Sequence, residues 1–509
     1  MHDAEPQPAL YTAAEVRALD RAAIDGAGIP GIVLMSRAGR AVFELVCAHY
    51  PGVLPVHVVC GAGNNGGDGF IVARLARERG LAVTVSLLGE QARIAGDARL
   101  ALEAALAAGV EVRPFTPQTR FDAGVIVDAL LGTGLGGPVR EVQAQAIAAM
   151  NASGLPIVAV DIPSGLCSDT GCVRGVAVRA AHTVTFIGRK RGLYTAAARD
   201  HCGELHFDAL GVPAQTYDAV PAGAELLSLE GLLAALAPRA RTAHKGSFGH
   251  VLVIGGGRGM AGAAAMAAES AARCGAGLVS LATWPGNVAA TVARRPEIMA
   301  HGVEHGHELE PLLARAGVLV IGPGLGRGPW AQQLLVRALA TGKPAVLDAD
   351  ALNAIAEGEV PAELPRAQCV VTPHPGEAAR LLGVTAAGIE ADRFVALQGL
   401  RALFPGAVVL KGAGTLVASG AAGGRLGVCP YGNPGMASGG MGDVLCGVLG
   451  ALLAQGLASG DAARLGVCLH ARAADLAAAA DGERGLLATD LVPWLRRLLN
   501  RLAPAEAGA

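Results

Sequence analysis

The sequence predicts an α/β protein of two tandem domains, each built on a doubly wound parallel sheet. Three observations predict it. Short β-branched runs ending in glycine loops alternate with Ala/Leu-rich helical stretches. That rhythm pauses once, over 212–245, and then restarts. The chain has 509 residues, too many for one small module and enough for two large cores.

The elements follow in order. A leading helix is expected over TAAEVRALDRAAIDGAG, opened by a Thr12/Glu15 capping box. Strands are expected at VHVVCGAG (56–63), AVTVSLLG (82–89), GVIVDALLG (124–132), PIVAVDIPSG (156–165) and HTVTFIG (182–188). Helices are expected after Asp68, over FIVARLARERG, and from Ala95 to Ala108. Residues 212–245 are Pro/Ala-rich and end in APRARTAHKGS, so a boundary falls near 222, dividing the chain into 1–222 and 223–509. Strands resume at HVLVIGGG (250–257), LVSLATW (278–284), VLVIGPGLG (318–326), PAVLDADALN (344–353), CVVTPHPG (369–376) and AVVLKGAG (407–414). A Gly-rich loop then leads into a long helix from about Asp443.

Composition narrows the function. Hydrophobic residues at 52% and charged residues at 17% exclude a disordered chain. A net charge of -2 offers no field for nucleic acid or an anionic membrane. Aromatics at 3% argue against binding single strands by stacking. The ten cysteines include no C-x-x-C pair, so neither a zinc site nor a disulfide framework is expected, and a reducing, cytoplasmic compartment is. The start, MHDAEPQPAL, does not read as a signal peptide, and the apolar run 444–458 is too short to span a bilayer. Only four of the 41 basic residues are lysine, which draws attention to Lys411 inside a glycine motif.

The most specific segment is NPGMASGGMGDVLCG (433–447), where glycines run straight into a helix. Converging backbone N–H groups and the positive helix end make an oxyanion or phosphate cradle. Asp443 sits at its lip as a base for a hydroxyl attacking phosphorus, or equally, taken alone, as an ordinary N-cap. KGAGT (411–415), TPHPGE with His374 and Glu377, and GPGLG (322–326) end neighbouring strands. In the first half, CGAGNNGGDG (60–69) lies between a strand and a helix and offers Asn64, Asn65 and Asp68. Asp128 ends one strand, and Asp161 and Ser164 end another. Each alone reads as a satisfied turn residue, but together they converge on one crevice.

The ordered segments HKGSFGHVLVIGG, GMAGAAAMAAESAARCGAGLV, GPGLG, DADALN, TPHPGE, VVLKGAGT and NPGMASGGMGDVL resemble the carbohydrate-kinase-related domain of the YjeF family over about 240–500. YTAAEVRALDRAAI, GNNGGDG, DALLGTGL and VDIPSG resemble the YjeF N-terminal domain over about 10–215. The resemblance implies a Rossmann-like α/β/α sandwich followed by a ribokinase-like α/β domain. It implies an NAD(P)H-hydrate epimerase joined to an ADP-dependent NAD(P)H-hydrate dehydratase, with NADHX, NADPHX and ADP as small-molecule partners. Met441 departs from the Ser or Thr that many relatives carry there.

Residue by residue, the resemblance implies Asp443 as the base on the hydrate's C6 hydroxyl. Ala263, Gly324 and His374 would line the hydrate pocket beside it. Gly442 and the loop Lys411, Gly412, Ala413, Gly414, Thr415 would hold the nucleotide, with Mg2+ on its phosphates. In the first half, Asn64, Asn65, Gly66, Gly67 and Asp68 would bind the hydrate together with Gly132, Thr133, Gly134, Leu135, Gly136, Gly137 and Pro138. Asp161 and Asp68 would carry the epimerisation, and Asn65, Asp128 and Ser164 would hold K+. A homo-oligomer is expected. The rivals are a ribokinase-like vitamin kinase fused to a binding domain, and a non-enzymatic scaffold.

Overall fold

A computed structural model describes residues 8–52, 55–360, 368–420 and 424–502. The extreme start and end of the chain, including the stretch read for a signal peptide before Pro8, lie outside them. The chain divides into two compact units, Met1–Glu225 and Leu226–Ala509.

In the first unit, β1 (Ala9–Tyr11) pairs parallel with the short β8 (Arg189–Lys190) and antiparallel, through Ala224 and Glu225, with β10 (Ala224–Leu226). The main sheet contains β2 (Val56–Cys60), β3 (Val83–Leu87), β4 (Glu111–Pro114), β5 (Val125–Ala129), β6 (Ile157–Val160), β7 (His182–Phe186) and β9 (Glu204–Asp208). Its order is β4-β3-β2-β5-β6-β7-β9, all parallel. The order reverses between β2 and β5, which is where a parallel sheet binds its ligand.

Side chains alternate across this sheet as the strand pleat requires. Val58 and Val127 enter the core beneath α1 (Ala13–Arg21), α2 (Gly31–His49), α3 (Asn64–Glu78) and α4 (Gly96–Ala107). Val59 and Ile126 enter a second core with Ile147 and Met150 of α5 (Glu141–Ala152). The expected α/β/α sandwich results. The capping box forms: the Thr12 and Glu15 side chains each accept from the other's backbone N–H, at 3.2 and 2.6 Å.

The second unit adds β11 (His250–Ile254), β12 (Leu278–Thr283), β13 (Met299–Gly302), β14 (Val318–Ile321), β15 (Ala345–Leu347), β16 (Cys369–Val371), β17 (Ala407–Leu410), β18 (Leu416–Ala418) and β19 (Leu426–Val428). They run β13-β12-β11-β14-β15-β16-β17-β18-β19, and the last two are antiparallel additions. One face packs on α6 (Ala261–Arg273), and α9 (Met441–Ala454) crosses α6 at close range, while α7 (Pro375–Leu382) and α8 (Arg393–Leu403) follow β16. A Cβ on Gly447 would lie 2.0 Å from Ser270 Oγ and 2.1 Å from Ala267 O, so that crossing needs glycine.

Two expectations change. The Asn64–Gly69 motif is not a loop: it forms the first turns of α3. A Cβ on Gly66 would stand 1.9 Å from Gly61 O and one on Gly69 2.6 Å from Ala129 Cβ, so these glycines first let the helix sit against the strand ends. The long helix from Asp443 is two helices. α9 starts at Met441, and α10 (Ser459–Asp481) follows a break at Gly456, whose φ is 93°.

Candidate active sites at the strand ends

In the first unit a cleft of about 950 Å3 opens at the β2/β5 reversal, within the size range of nucleotide-type sites. Asn64, Asn65 and Asp68 line it from α3, and Gly132, Thr133, Gly134, Leu135, Gly136, Gly137 and Pro138 line it from the loop after β5. Asp161 and two residues unforeseen in the sequence, Asp20 and Lys190, complete the floor. Gly66 and Gly67 are buried behind it against Gly61 and Met35.

Asp161 has φ 67°, as do the lining residues Ile187 at 60° and Leu210 at 53° in kind. Such strain gathers where a site must hold its geometry. The buried Lys190 ammonium donates to Asp161 Oδ1 and to Phe186 O at 2.9 Å. Burial, then the charges of Asp161 and Asp20, push the Asp68 carboxyl well above the usual range, against the pull of Lys190. Burial likewise raises Asp20. Three carboxylates thus share one ammonium, an arrangement that retains a proton for acid–base work.

Beneath the cleft, Asp128 is fully buried. Its Oδ1 accepts from Ser164 Oγ at 2.6 Å and Leu130 N at 3.3 Å, and its Oδ2 accepts from Ser164 N at 2.8 Å. Burial outweighs these bonds and raises its pKa to about 6. The Asn65 side chain lies against Gly132, within 3.3 Å of where a Cβ would be, and its buried Nδ2 has no partner among the described residues. Turning that amide by half a turn would present its oxygen there instead. A buried carboxylate with no cationic partner among the described residues, a hydroxyl and an orphaned amide form a donor set that suits a monovalent cation.

In the second unit the ends of β14, β15, β16 and β17 converge. Asp443 is the third residue of α9, after Gly440 as N-cap, and its carboxylate makes no hydrogen bond or ion pair among the described residues. It is therefore no helix cap. Burial first, then the charge of Asp348, raise its pKa to about 6, although Lys411 opposes them. A Cβ on Gly442 would lie 3.2 Å from Asp348 Oδ2 and 3.4 Å from Lys411 Nζ, so the cradle, the lysine and Asp348 meet.

Lys411 Nζ donates to Asp348 Oδ1 at 2.6 Å and lies 3.8 Å from Glu377 Oε2. Burial disfavours its charge, but these two carboxylates prevail and its pKa rises. Asp348, which DADALN contains but whose role the sequence did not disclose, is the hub: its Oδ2 also accepts from Cys446 Sγ at 3.2 Å. Ala349 beside it has φ 48°. Only the strand-end position of a buried aspartate after PAVL pointed to it.

His374 caps α7. Its Nδ1 accepts from Gly376 N at 2.9 Å and Glu377 N at 3.3 Å, so Nε2 carries the proton, 3.4 Å from Glu377 Oε1. Burial, then Lys411, lower its pKa. Gly324 and Ala263 meet each other: a Cβ on Gly324 would lie 3.1 Å from Ala263 Cβ. The Lys411–Thr415 loop is pinned from below by buried Arg393, which donates to Leu410 O at 3.2 Å and Lys411 O at 3.1 Å. Gly412 has φ 141°, Gly414 has φ 65°, and Thr415 Oγ1 donates to Gly412 O at 3.0 Å. Ala413 lies between those two glycines in the same pinned turn.

Both units are similar to known proteins. A family described as NAD(P)H-hydrate dehydratase matches residues 251–497, and one described as YjeF-related protein N-terminus matches 31–192. A bifunctional NAD(P)H-hydrate repair enzyme from Coxiella burnetii is 50% identical over 96% of this chain and 99% of its own. One from Escherichia coli is 46% identical over 96% and 94%. The second unit is similar to a ribokinase-like superfamily protein from Enterococcus faecalis V583, with a TM-score of 0.51 and 31% identity over 55% of this chain and 96% of that one. The chain belongs to the family of bifunctional NAD(P)H-hydrate repair enzymes.

Proposed function

We propose that the chain returns damaged nicotinamide nucleotides to NAD(P)H in two steps. The first unit interconverts the 6R and 6S hydrates, and the second dehydrates the 6S form with conversion of ADP to AMP and phosphate. The observation that carries the reading is Asp443: an unbonded carboxylate with a raised pKa, one residue after Gly442, where the cradle meets the Lys411–Asp348 pair.

Hydroxide is a poor leaving group. Asp443 takes the proton from the C6 hydroxyl, whose oxygen bonds to the β-phosphorus of ADP as AMP departs. The enamine nitrogen then expels phosphate, and loss of a C5 proton to the departing phosphate restores the C5=C6 bond of the dihydropyridine ring. The α9 N–H groups hold the transferring phosphoryl oxygens. Lys411 neutralises charge at the cradle and is itself held by Asp348. His374 offers Nε2–H to the hydrate, and Gly324 with Ala263 gives the ring a flat apolar wall. Mg2+ on the phosphates would be held near Asp348 and Asp443, whose mutual repulsion it would relieve, and would supply positive charge. In the first unit Asp68 and Asp161 serve as the proton-exchanging pair, and K+ at Asn65, Asp128 and Ser164 would supply charge under the bound hydrate. The proposal includes a homo-oligomer in the cytoplasm. Among the described residues no helix is long and apolar enough to cross a membrane.

A vitamin kinase accounts for the second unit but has no use for the Asp68–Asp161–Lys190 cleft of the first. The test is a nucleotide screen with 6S hydrate, following the return of reduced-nicotinamide absorbance. ADP or ATP should be obligatory, with ADP the better donor. A full rate without nucleotide, or a stable phosphorylated alcohol and no hydrate turnover, would overturn the reading.

A further inference from the structure

At the end of the first unit's sheet opposite the cleft, three histidines from three elements meet. His182 opens β7, His206 lies in the edge strand β9, and His49 is the last residue of α2. One ring nitrogen from each lies within 4.8 Å of the others. His182 pairs in register with Glu204, and Val184 with His206, so His182, Glu204 and His206 project from one face.

His182 Nδ1 and His206 Nε2 are 3.2 Å apart. Two imidazole nitrogens bound tetrahedrally to zinc at about 2.0–2.1 Å stand about 3.3–3.4 Å apart, so the pair already has the spacing of adjacent ligands. Glu204 Oε2 is 3.6 Å from His182 Nδ1, and Glu204 Oε1 is 3.9 Å from His206 Nε2, which offers a fourth donor. Burial, then the neighbouring imidazoles, lower the His182 pKa, and burial lowers that of His206. Neutral rings keep a lone pair for a metal. The C-terminal end of α2 adds a negative dipole beside His49. Cysteine is not part of the cluster, and nitrogen with one carboxylate suits a borderline divalent ion rather than Mg2+ or K+.

We propose that His49, His182 and His206, completed by Glu204, form a divalent transition-metal site of the zinc class. It clips the end of α2 to β7 and β9. The same α2 supplies Leu34, Met35 and Ala38 to the cleft, and β7 supplies Phe186, so the clip braces two walls of the epimerase site without touching the ligand.

The test uses tag-free full-length protein stripped with a chelator and kept in Mg2+ and K+ to fill hard-ion sites. Co2+ is titrated and its visible absorption followed. One Co2+ per chain with intense tetrahedral bands, displaced by Zn2+, is expected. His49→Gln, an exposed change that leaves the fold intact, should weaken Co2+ by at least about 10-fold, and His182→Gln should abolish the bands. Zn2+ should raise the melting temperature of the wild type and not of His49→Gln. Absent bands, or bands unaltered in both variants, would leave a plain hydrogen bond between His182 and His206 and overturn the site.

Discussion

In the proposed mechanism Asp443 is the base of the second unit, and its environment makes two testable statements. Asp443→Asn keeps size but removes the base, so dehydration should slow by about 10²–10⁴-fold with nucleotide affinity little changed. Steady-state kinetics with 6S hydrate and ADP checks this; near-normal turnover would make the carboxylate dispensable. The base works ionised, and its pKa stands raised at about 6. The profile of kcat/KM should therefore rise as pH climbs through about 6 and level above it. Asp128 gives a stability counterpart. Its raised pKa, also about 6, means the folded chain binds that proton more tightly than the unfolded one. The stabilisation from that proton is present at low pH and lost as pH rises through about 6. A cation beside the carboxylate offsets the loss, so K+ should raise the melting temperature of the epimerase unit more at pH 8 than at pH 5. Asp128→Asn should remove the difference; an equal effect in that variant would place the ion elsewhere.

Elements were legible where burial had marked them. Every β-branched run read as a parallel strand became one, because a strand covered on both faces must be apolar throughout. The edge strands escaped. EVRP at 111–114 and ELHFD at 204–208 are partly exposed, so no apolar run announces them. The glycine motif of α3 was legible as lying at a strand-end cleft but not as a helix, since Gly66, Gly67 and Gly69 are poor helix formers held there by packing. Gly66→Ala tests that account. Its Cβ would meet Gly61 O at 1.9 Å, which requires α3 to move. Destabilisation of at least about 1–3 kcal/mol is expected in the first unit. Epimerase activity should melt earlier while dehydratase activity keeps its temperature profile; unchanged thermal inactivation of the epimerase would show that the loop, not the packing, sets the glycine. The site partners Lys190 and Asp348 escaped for another reason. Their contacts, Lys190 to Asp161 and Lys411 to Asp348, join residues 29 and 63 positions apart, a closeness that only the folded sheet creates.

At the scale of the whole molecule, each unit has its own run of parallel strands, its own core and its own candidate strand-end site. Expressed apart, 1–225 and 226–509 should each fold, and the second piece should consume 6S hydrate while leaving 6R to slow spontaneous epimerisation. Rapid clearance of both epimers by that piece would remove the need for the first. The most direct test joins the two halves in one experiment. Pure 6R hydrate and ADP are given to the intact chain and to Asp443→Asn, and the epimers are resolved by chromatography while absorbance is followed. The intact chain should return reduced nicotinamide with one phosphate released per molecule. The variant should convert 6R to 6S and stop there. Restored nicotinamide from the variant at the intact rate, or no 6S from either protein, would contradict the two-step account.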